Sequence, residues 1–393
     1  MKHLWKPLLL VASVFLFTGA IICMNDVLLP ALKDLFNLTY TQASLVQQCF
    51  YLVYLIFPIP IAFYISKYGY KAALITALVI CSAAALVFIP AYTNMSFGLA
   101  LTALFIISIG VTLINVAANP LAALLGEPSG AHVRVNIVQL FSRIGYAFTP
   151  LVATRMLHIN SSTTSFYLPY LFIGAGTFIL ACFFTFSYLP VKKPVLEKGF
   201  NVIAILQQSK KYPQLRWGAV AMFFYMGVEA CTAGFFISYL KEVSKFSVEE
   251  TSQYLTCYYI ISTITAFAGI YLIDRFVPGK LLIFFASGMI VMYLLAAFTS
   301  SSLNAYYLLG MGLFIALLFP LVFSLSIHNL GAFTERGSAL VNMAIVGGAV
   351  FPPLQGLLAD YKGIQLSYMV PCICAVAIIA YGYYCIKNET SIK

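Results

Sequence analysis

Phe17-Thr18-Gly19-Ala20-Ile21-Ile22-Cys23-Met24-Asn25-Asp26-Val27-Leu28-Leu29-Pro30 is a run apolar enough to lie in a bilayer, yet it contains a carboxylate and ends on a proline. An ionisable side chain at membrane depth costs about 2.5–3.5 kcal/mol on insertion scales, so it faces a protein interior or a water-filled path. Asp26 is therefore the first candidate functional residue, with Asn25 beside it. The apolar run continues from about residue 8 to 32, longer than the core of a secretory signal peptide, and is expected to be a first membrane span.

The 393-residue chain is 62% hydrophobic and 9% charged, far from the roughly 25% charged composition of a soluble domain. Further apolar runs of membrane-crossing length recur. The expected spans are 8–32, 44–66, 72–91, 97–124, 136–157, 166–190, 217–240, 252–273, 280–299, 303–329, 337–358 and 364–386, an all-α protein of 12 transmembrane helices. A basic segment, 191–216, separates 1–190 from 217–393, so the chain reads as an N-terminal six-helix bundle, a cytoplasmic linker and a C-terminal six-helix bundle.

The net charge of +10 is not spread as in a nucleic-acid binder. With a cytoplasmic N-terminus, most of the 22 basic residues fall on inner segments, among them Lys67, Lys71, Arg134, Lys192, Lys193, Lys210, Lys211, Arg216, Arg275, Lys280 and Arg336. The positive-inside rule then places both termini in the cytoplasm and the chain in the plasma (inner) membrane. The nine cysteines nearly all lie in apolar runs and act as small hydrophobes. No metal site is expected, since Cys372 and Cys374 have no nearby His or acidic partner. Gly126-Glu127-Pro128-Ser129-Gly130 lacks the Lys-Ser/Thr ending of a nucleotide-binding loop, so no cofactor and no ATP-driven step is expected.

The halves share a local repeat. Arg134, Gly145 and Pro150 recur as Arg336, Gly347 and Pro352, each displaced by 202 residues. Two six-span halves in parallel orientation are the arrangement of the major facilitator fold.

Three charged residues lie well inside spans: Asp26 in the first, Arg143 in the fifth and Glu229 in the seventh. Asp26 is either a carboxylate that takes up and releases a proton or one held charged by Arg143 or by backbone donors. Glu229 is either a second coupling carboxylate or the fixed partner of Arg143. Arg143 either snorkels toward the interface, pairs with a carboxylate, or donates to an acidic substrate. Asp34 and Asp360, at span ends, are expected to be solvated by water. Asn115, Asn119, Gln139, Ser142, Gln47, Gln48, Asn136, Asn342 and Gln355 supply neutral hydrogen-bonding groups, each individually explicable by interhelical bonding. Together they resemble a lining for a polyhydroxylated solute. Tyr54 and Tyr225 are aromatic candidates for packing on the C–H face of a sugar ring.

Several stretches resemble the L-fucose:proton symporter family of the major facilitator superfamily: Asn25-Asp26-Val27-Leu28-Leu29-Pro30, Phe57-Pro58-Ile59-Pro60, Ala117-Ala118-Asn119-Pro120, His132-Val133-Arg134-Val135-Asn136-Ile137-Val138-Gln139, Phe319-Pro320 with Phe323-Ser324, and Asn329-Leu330-Gly331. They occur in order through both halves. The resemblance implies sugar uptake coupled to an ion, with Asp26 matching the family's proton-carrying aspartate and Gln139 a matching binding residue. This chain has Asn115 where the fucose transporter is expected to carry a second glutamate, and Ser142 followed by Arg143 where it places an asparagine. Glu229 resembles the seventh-span glutamate of the hexose-transporting branch.

The expectation is a non-enzymatic secondary transporter importing a deoxyhexose, hexose or amino sugar by proton symport through alternating access. Sodium coupling, an acidic-sugar substrate and a drug or metabolite exporter of the same fold are the alternatives. The partners are a sugar, a proton or sodium and the lipid bilayer, with no nucleic acid, and the protein is expected to be a monomer. Asp26 and Glu229 are the proton-coupling candidates; Asn25, Gln47, Tyr54, Asn115, Gln139, Ser142, Arg143, Tyr225 and Asn342 are the substrate-binding candidates.

Overall fold

The computed structural model describes residues 5–126, 131–157, 166–187, 202–299 and 303–389. In chain order the helices are α1 (Trp5–Leu35), α2 (Tyr40–Ala43), α3 (Leu45–Ile56), α4 (Pro58–Tyr68), α5 (Tyr70–Thr93), α6 (Phe97–Leu124), α7 (Ala131–Leu157), α8 (Tyr167–Phe186) and α9 (Val202–Ser209). They continue as α10 (Pro213–Val243), α11 (Val248–Arg275), α12 (Pro278–Phe298), α13 (Asn304–Ile315), α14 (Leu318–Ile327), α15 (Thr334–Met343), α16 (Gly347–Lys362), α17 (Ile364–Ser367) and α18 (Met369–Glu389). Residues 191–201 of the expected linker and the 127–130 part of the glycine-containing loop lie outside the described residues.

Among the described residues, ten helical segments are long and apolar enough to cross a membrane, or 11 if α3 and α4 form one bent span. The protein is thus an all-α, multi-pass membrane protein. Its exterior agrees: on α8, Phe172, Phe183 and Phe186 are exposed by 62%, 64% and 90%. Large apolar side chains facing outward are what a lipid solvent favours. The α7 helix is not among the 10 or 11; its first half carries Arg134, Gln139, Ser142 and Arg143.

The second expected span, 44–66, is not continuous. It is divided into α3 and α4, with a bend of 55°. The cause is Phe57-Pro58-Ile59-Pro60: neither proline has an N–H to give the carbonyl four residues back, and each ring clashes with the preceding turn. Pro58 instead opens α4, where a missing donor costs nothing.

Contacts divide the chain into two compact units, Met1–Asn37 with Ile56–Lys198, and Leu38–Leu55 with Gly199–Lys393. In the first, α5 packs on α6 and α8, and α1 on α7. The α1–α7 crossing is backbone against backbone. A Cβ on Gly19 would sit 2.0 Å from the Ser142 carbonyl oxygen, and one on Gly145 would sit 2.2 Å from that of Leu16. In the second unit α10 packs on α14, α16 and α18, and α12 on α13 and α18. A Cβ on Gly347 would lie 1.9 Å from the Phe223 carbonyl oxygen of α10. The repeated glycines, Gly145 and Gly347, thus make the same kind of contact in each unit, which gives the 202-residue repeat a steric meaning.

Asp360 is exposed, as expected of a span end, and it has protein partners as well. Its carboxylate accepts from the backbone N–H of Tyr40 at 2.6 Å, that of Thr41 at 2.9 Å and the Thr41 hydroxyl at 2.7 Å. It occupies the N-terminus of α2, where otherwise unpaired N–H groups favour an anion. Thr39 completes the end as a capping box with Gln42. The Tyr40 hydroxyl donates to Glu242 on α10, and its ring stacks on Phe235 at 5.9 Å. These bonds, together with Gly356 of α16 lying against the Tyr40 carbonyl, fix α2 in the second unit.

The glycine contacts make a measurable prediction. Gly145→Leu forces α1 and α7 apart and should lower the detergent-phase melting temperature, the overpacking cost being at least about 1–3 kcal/mol. Gly98→Ala, at a position with nothing within 4 Å, should leave it unchanged. Equal melting of the two variants in a size-exclusion thermal assay would refute the close-packing account.

Candidate functional site

In the first unit the polar side chains come from α1, α6, α7 and α8. Asp26 is 5% exposed on α1. Pro30 lies inside the same helix one turn later and has no N–H to give the Asp26 carbonyl. Asn25 is 1% exposed, and neither its amide nitrogen nor its amide oxygen has a hydrogen-bond partner. Tyr170 of α8 is fully buried, its ring stacked on Phe88 at 3.7 Å, and its hydroxyl has no partner either.

A second group forms between α6 and α7. Thr112, Asn115 and Asn119 recur at three- and four-residue spacing, which puts them on one stripe of α6. The Asn115 amide donates to the Val111 carbonyl at 3.2 Å, and the Asn119 amide donates to the Asn115 carbonyl at 3.2 Å. Gln139 of α7 donates to the Asn119 side-chain oxygen at 3.0 Å. Asn115 and Gln139 thus belong to one connected amide array. The Thr112 hydroxyl is buried and unpartnered. Arg134 holds the array's base, donating from Nε to the Ala122 carbonyl at 3.1 Å and from Nη2 to that of Ala123 at 2.5 Å, at the C-terminal end of α6.

Ser142 is buried at the α1–α7 crossing, where its backbone meets Gly19. Arg143 is half-buried and makes no hydrogen bond or ion pair among the described residues. It is one turn from Gln139 and shares its face of α7.

In the second unit, Tyr225 and Glu229 lie one turn apart on α10, the first buried and the second half-buried. The Tyr225 ring is 5.8 Å from Phe319, which stacks on Phe323 at 5.9 Å. On α3, Gln47, Phe50, Tyr51 and Tyr54 form a buried stripe. Gln47 packs against Gly234 of α10, where a Cβ would be 2.9 Å from its amide nitrogen. Tyr51 and Tyr54 are 6.1 Å apart. Asn342, by contrast, is exposed on α15 and joins neither group.

Tyr170 was not among the sequence candidates. Its position in Tyr167-x-x-Tyr170 marks only a helical face. Chemically, the first unit supplies a carboxylate able to carry a proton or ligate a cation, with amides and hydroxyls able to bind a polyol.

A family model described as the Major Facilitator Superfamily matches residues 9–348. The chain belongs to that superfamily. It is 31% identical over 380 residues to a glucose/galactose transporter of Brucella abortus, covering 94% of this chain and 91% of that one. It is 29% identical over 412 residues to the L-fucose-proton symporter of Escherichia coli strain K12, covering 98% and 94%. The crystal structure of the E. coli fucose:proton symporter superposes with a TM-score of 0.72 at 28% identity, covering 97% of this chain and 98% of that one. Relatives of both kinds support a sugar-transporter family without narrowing it to fucose. The chain is a secondary active transporter of the superfamily and not an enzyme.

The unpartnered Tyr170 hydroxyl gives a prediction. Tyr170→Phe removes a buried polar group that satisfies no bond, and should leave the melting temperature unchanged or raise it by the equivalent of up to about 1 kcal/mol. A marked loss of stability would mean that the hydroxyl is already hydrogen-bonded.

Proposed function

We propose that this facilitator imports a monosaccharide, a hexose, deoxyhexose or amino sugar, together with a proton by alternating access. The observation that carries the reading is Asp26, buried next to Asn25, whose amide is unsatisfied, in a chain 31% identical to a glucose/galactose transporter. An orphaned buried donor or acceptor costs about 1–3 kcal/mol, so such groups gain most from a hydroxylated ligand or ordered water.

In this reading Asp26 carries the coupling proton, and Glu229 is the second carboxylate. Asn25, Asn115 and Gln139 are the sugar-binding residues of the first unit, and Gln47, Tyr54 and Tyr225 are those of the second. Ser142 and Asn342 are weaker members, one bearing the helix crossing and the other lying exposed. Arg143, unpaired among the described residues, either tunes the carboxylates or receives an acidic group of the substrate. The transporter has 12 spans, because α7 joins the 11 identified by length and apolarity. Its amides and arginines explain why it is the least apolar. The spans form two six-helix halves, 1–190 and 217–393, joined by a cytoplasmic segment, with both termini in the cytoplasm of an inner membrane. The unit acts as a monomer.

One second reading is favoured by the chemistry of the pair: the Asp26 carboxylate and the unpartnered Asn25 amide oxygen are hard oxygen ligands of the type that hold a small cation, which would make sodium the coupling ion.

Proteoliposome uptake against a panel of glucose, galactose, fucose, N-acetylglucosamine and glucuronate, under imposed proton or sodium gradients, separates these readings. Asp26→Asn should abolish gradient-driven accumulation while retaining sugar exchange. Undiminished uphill uptake by that variant would remove Asp26 from the coupling step, and accumulation driven only by sodium would replace the proton.

A further inference from the structure

A cavity of about 320 Å³ lies apart from these polar groups, at the end of the second unit where α9 meets α10 and α15. Leu206, Ser209, Lys210, Arg216, Ala219 and Leu340 line it. No carboxylate is among them. Neither the Lys210 ammonium nor the Arg216 guanidinium has a hydrogen-bond or ion-pair partner among the described residues. Two cations therefore share a pocket whose remaining walls are apolar. The Ser209 hydroxyl donates to the Leu206 carbonyl at 2.7 Å, which leaves its oxygen available as an acceptor only.

The depth of the cavity follows from its neighbours. Trp217, directly after Arg216, is 55% exposed and lies 6.5 Å from the Tyr384 ring. An exposed Trp at the start of one span, against a half-buried Tyr near the end of another, marks the headgroup level of a bilayer. Val220, one turn further along α10, is 44% exposed and begins the lipid-facing apolar surface. Stacking of Tyr212 on Phe333 at 5.3 Å pins the turn that presents Lys210 and Arg216 together.

We propose that this cavity binds the headgroup of an anionic phospholipid, with its phosphate between Lys210 and Arg216 and its glycerol against Leu206, Ala219 and Leu340. Basic pockets between helices at the membrane surface are suited to acidic headgroups. The apolar walls distinguish the lipid from free phosphate, which would leave them facing water. A lipid held there bridges α9 to α10 and α15, so it fastens the helical part of the 191–216 segment to the rest of the second unit. The site needs neither the sugar nor the coupling ion.

The test is binding of phosphatidylglycerol, phosphatidylcholine and inorganic phosphate to the purified full-length protein in delipidated micelles, read by native mass spectrometry. Phosphatidylglycerol should bind and phosphatidylcholine should not, and excess inorganic phosphate should fail to displace it. Each of Lys210→Gln and Arg216→Gln should weaken phosphatidylglycerol by about fivefold, whereas Lys280→Gln on α12 should not. Leu340→Phe keeps both cations and fills the cavity, and should weaken binding as well, which covers the case of a misfolded charge variant. Equal binding of the two lipids, unchanged affinity in the charge variants, or displacement by inorganic phosphate would overturn the proposal; the last would make this a soluble-anion site.

Discussion

In hydrocarbon there is no water to bond a peptide group, so every N–H and C=O in a span must find its partner within the protein. That constraint makes the prolines of this chain informative. Pro30, Pro58, Pro120 and Pro352 withdraw the donor due to the carbonyls of Asp26, Tyr54, Val116 and Gly348. Asp26 and Tyr54 are themselves candidate site residues, Val116 follows Asn115, and Gly348 packs against the ring of Tyr51. Backbone irregularity and polar side chains therefore coincide.

The same constraint sets the energetic character of the first unit. The Asn25, Thr112 and Tyr170 side chains are buried without hydrogen bonds, whereas Asn115, Asn119 and Gln139 are linked to one another and to backbone. The linked array contributes rigidity, since each member restrains the next. The unlinked groups cost stability until something binds them. A transporter gains from having both: a fixed frame to orient a ligand and unsatisfied groups whose bonding by that ligand differs between its states.

Much of this was legible in the residues, and the failures have physical reasons. Asp26, the apolar runs and the repeated Arg-Gly-Pro positions stand out because each is costly or improbable in a membrane helix unless used. The bend at Phe57-Pro58 was also written in the sequence, yet hydropathy averaged across it and suggested one straight span. Asp360 looked like a solvated end-residue because its partners, Tyr40 and Thr41, lie some 320 residues away. No local pattern announces such a pairing. Tyr170 was invisible for a related reason: an aromatic in an apolar helix is ordinary until its hydroxyl is found buried without a partner. Asn342, a polar residue chosen by type, is exposed on α15, which its side-chain chemistry alone does not announce.

The repeat separates scaffold from chemistry. Moving 202 residues along the chain carries Gly145 to Gly347 and Pro150 to Pro352, and both glycines meet a carbonyl of the first long helix of their unit. The same step carries Gln139 to Val341, Ser142 to Ala344 and Arg143 to Ile345. Val341 is fully buried, and Ala344 and Ile345 fall in a short 3-10 turn between α15 and α16, where α7 runs unbroken. The close crossing was therefore kept in both copies, while the amides and the guanidinium survive in one. A hydrogen-bonding lining costs desolvation wherever it is not used, so an asymmetric transporter has reason to confine it to a single half. The carboxylates differ from that pattern: the same step carries Asp26 to Val228, the residue before Glu229 on α10.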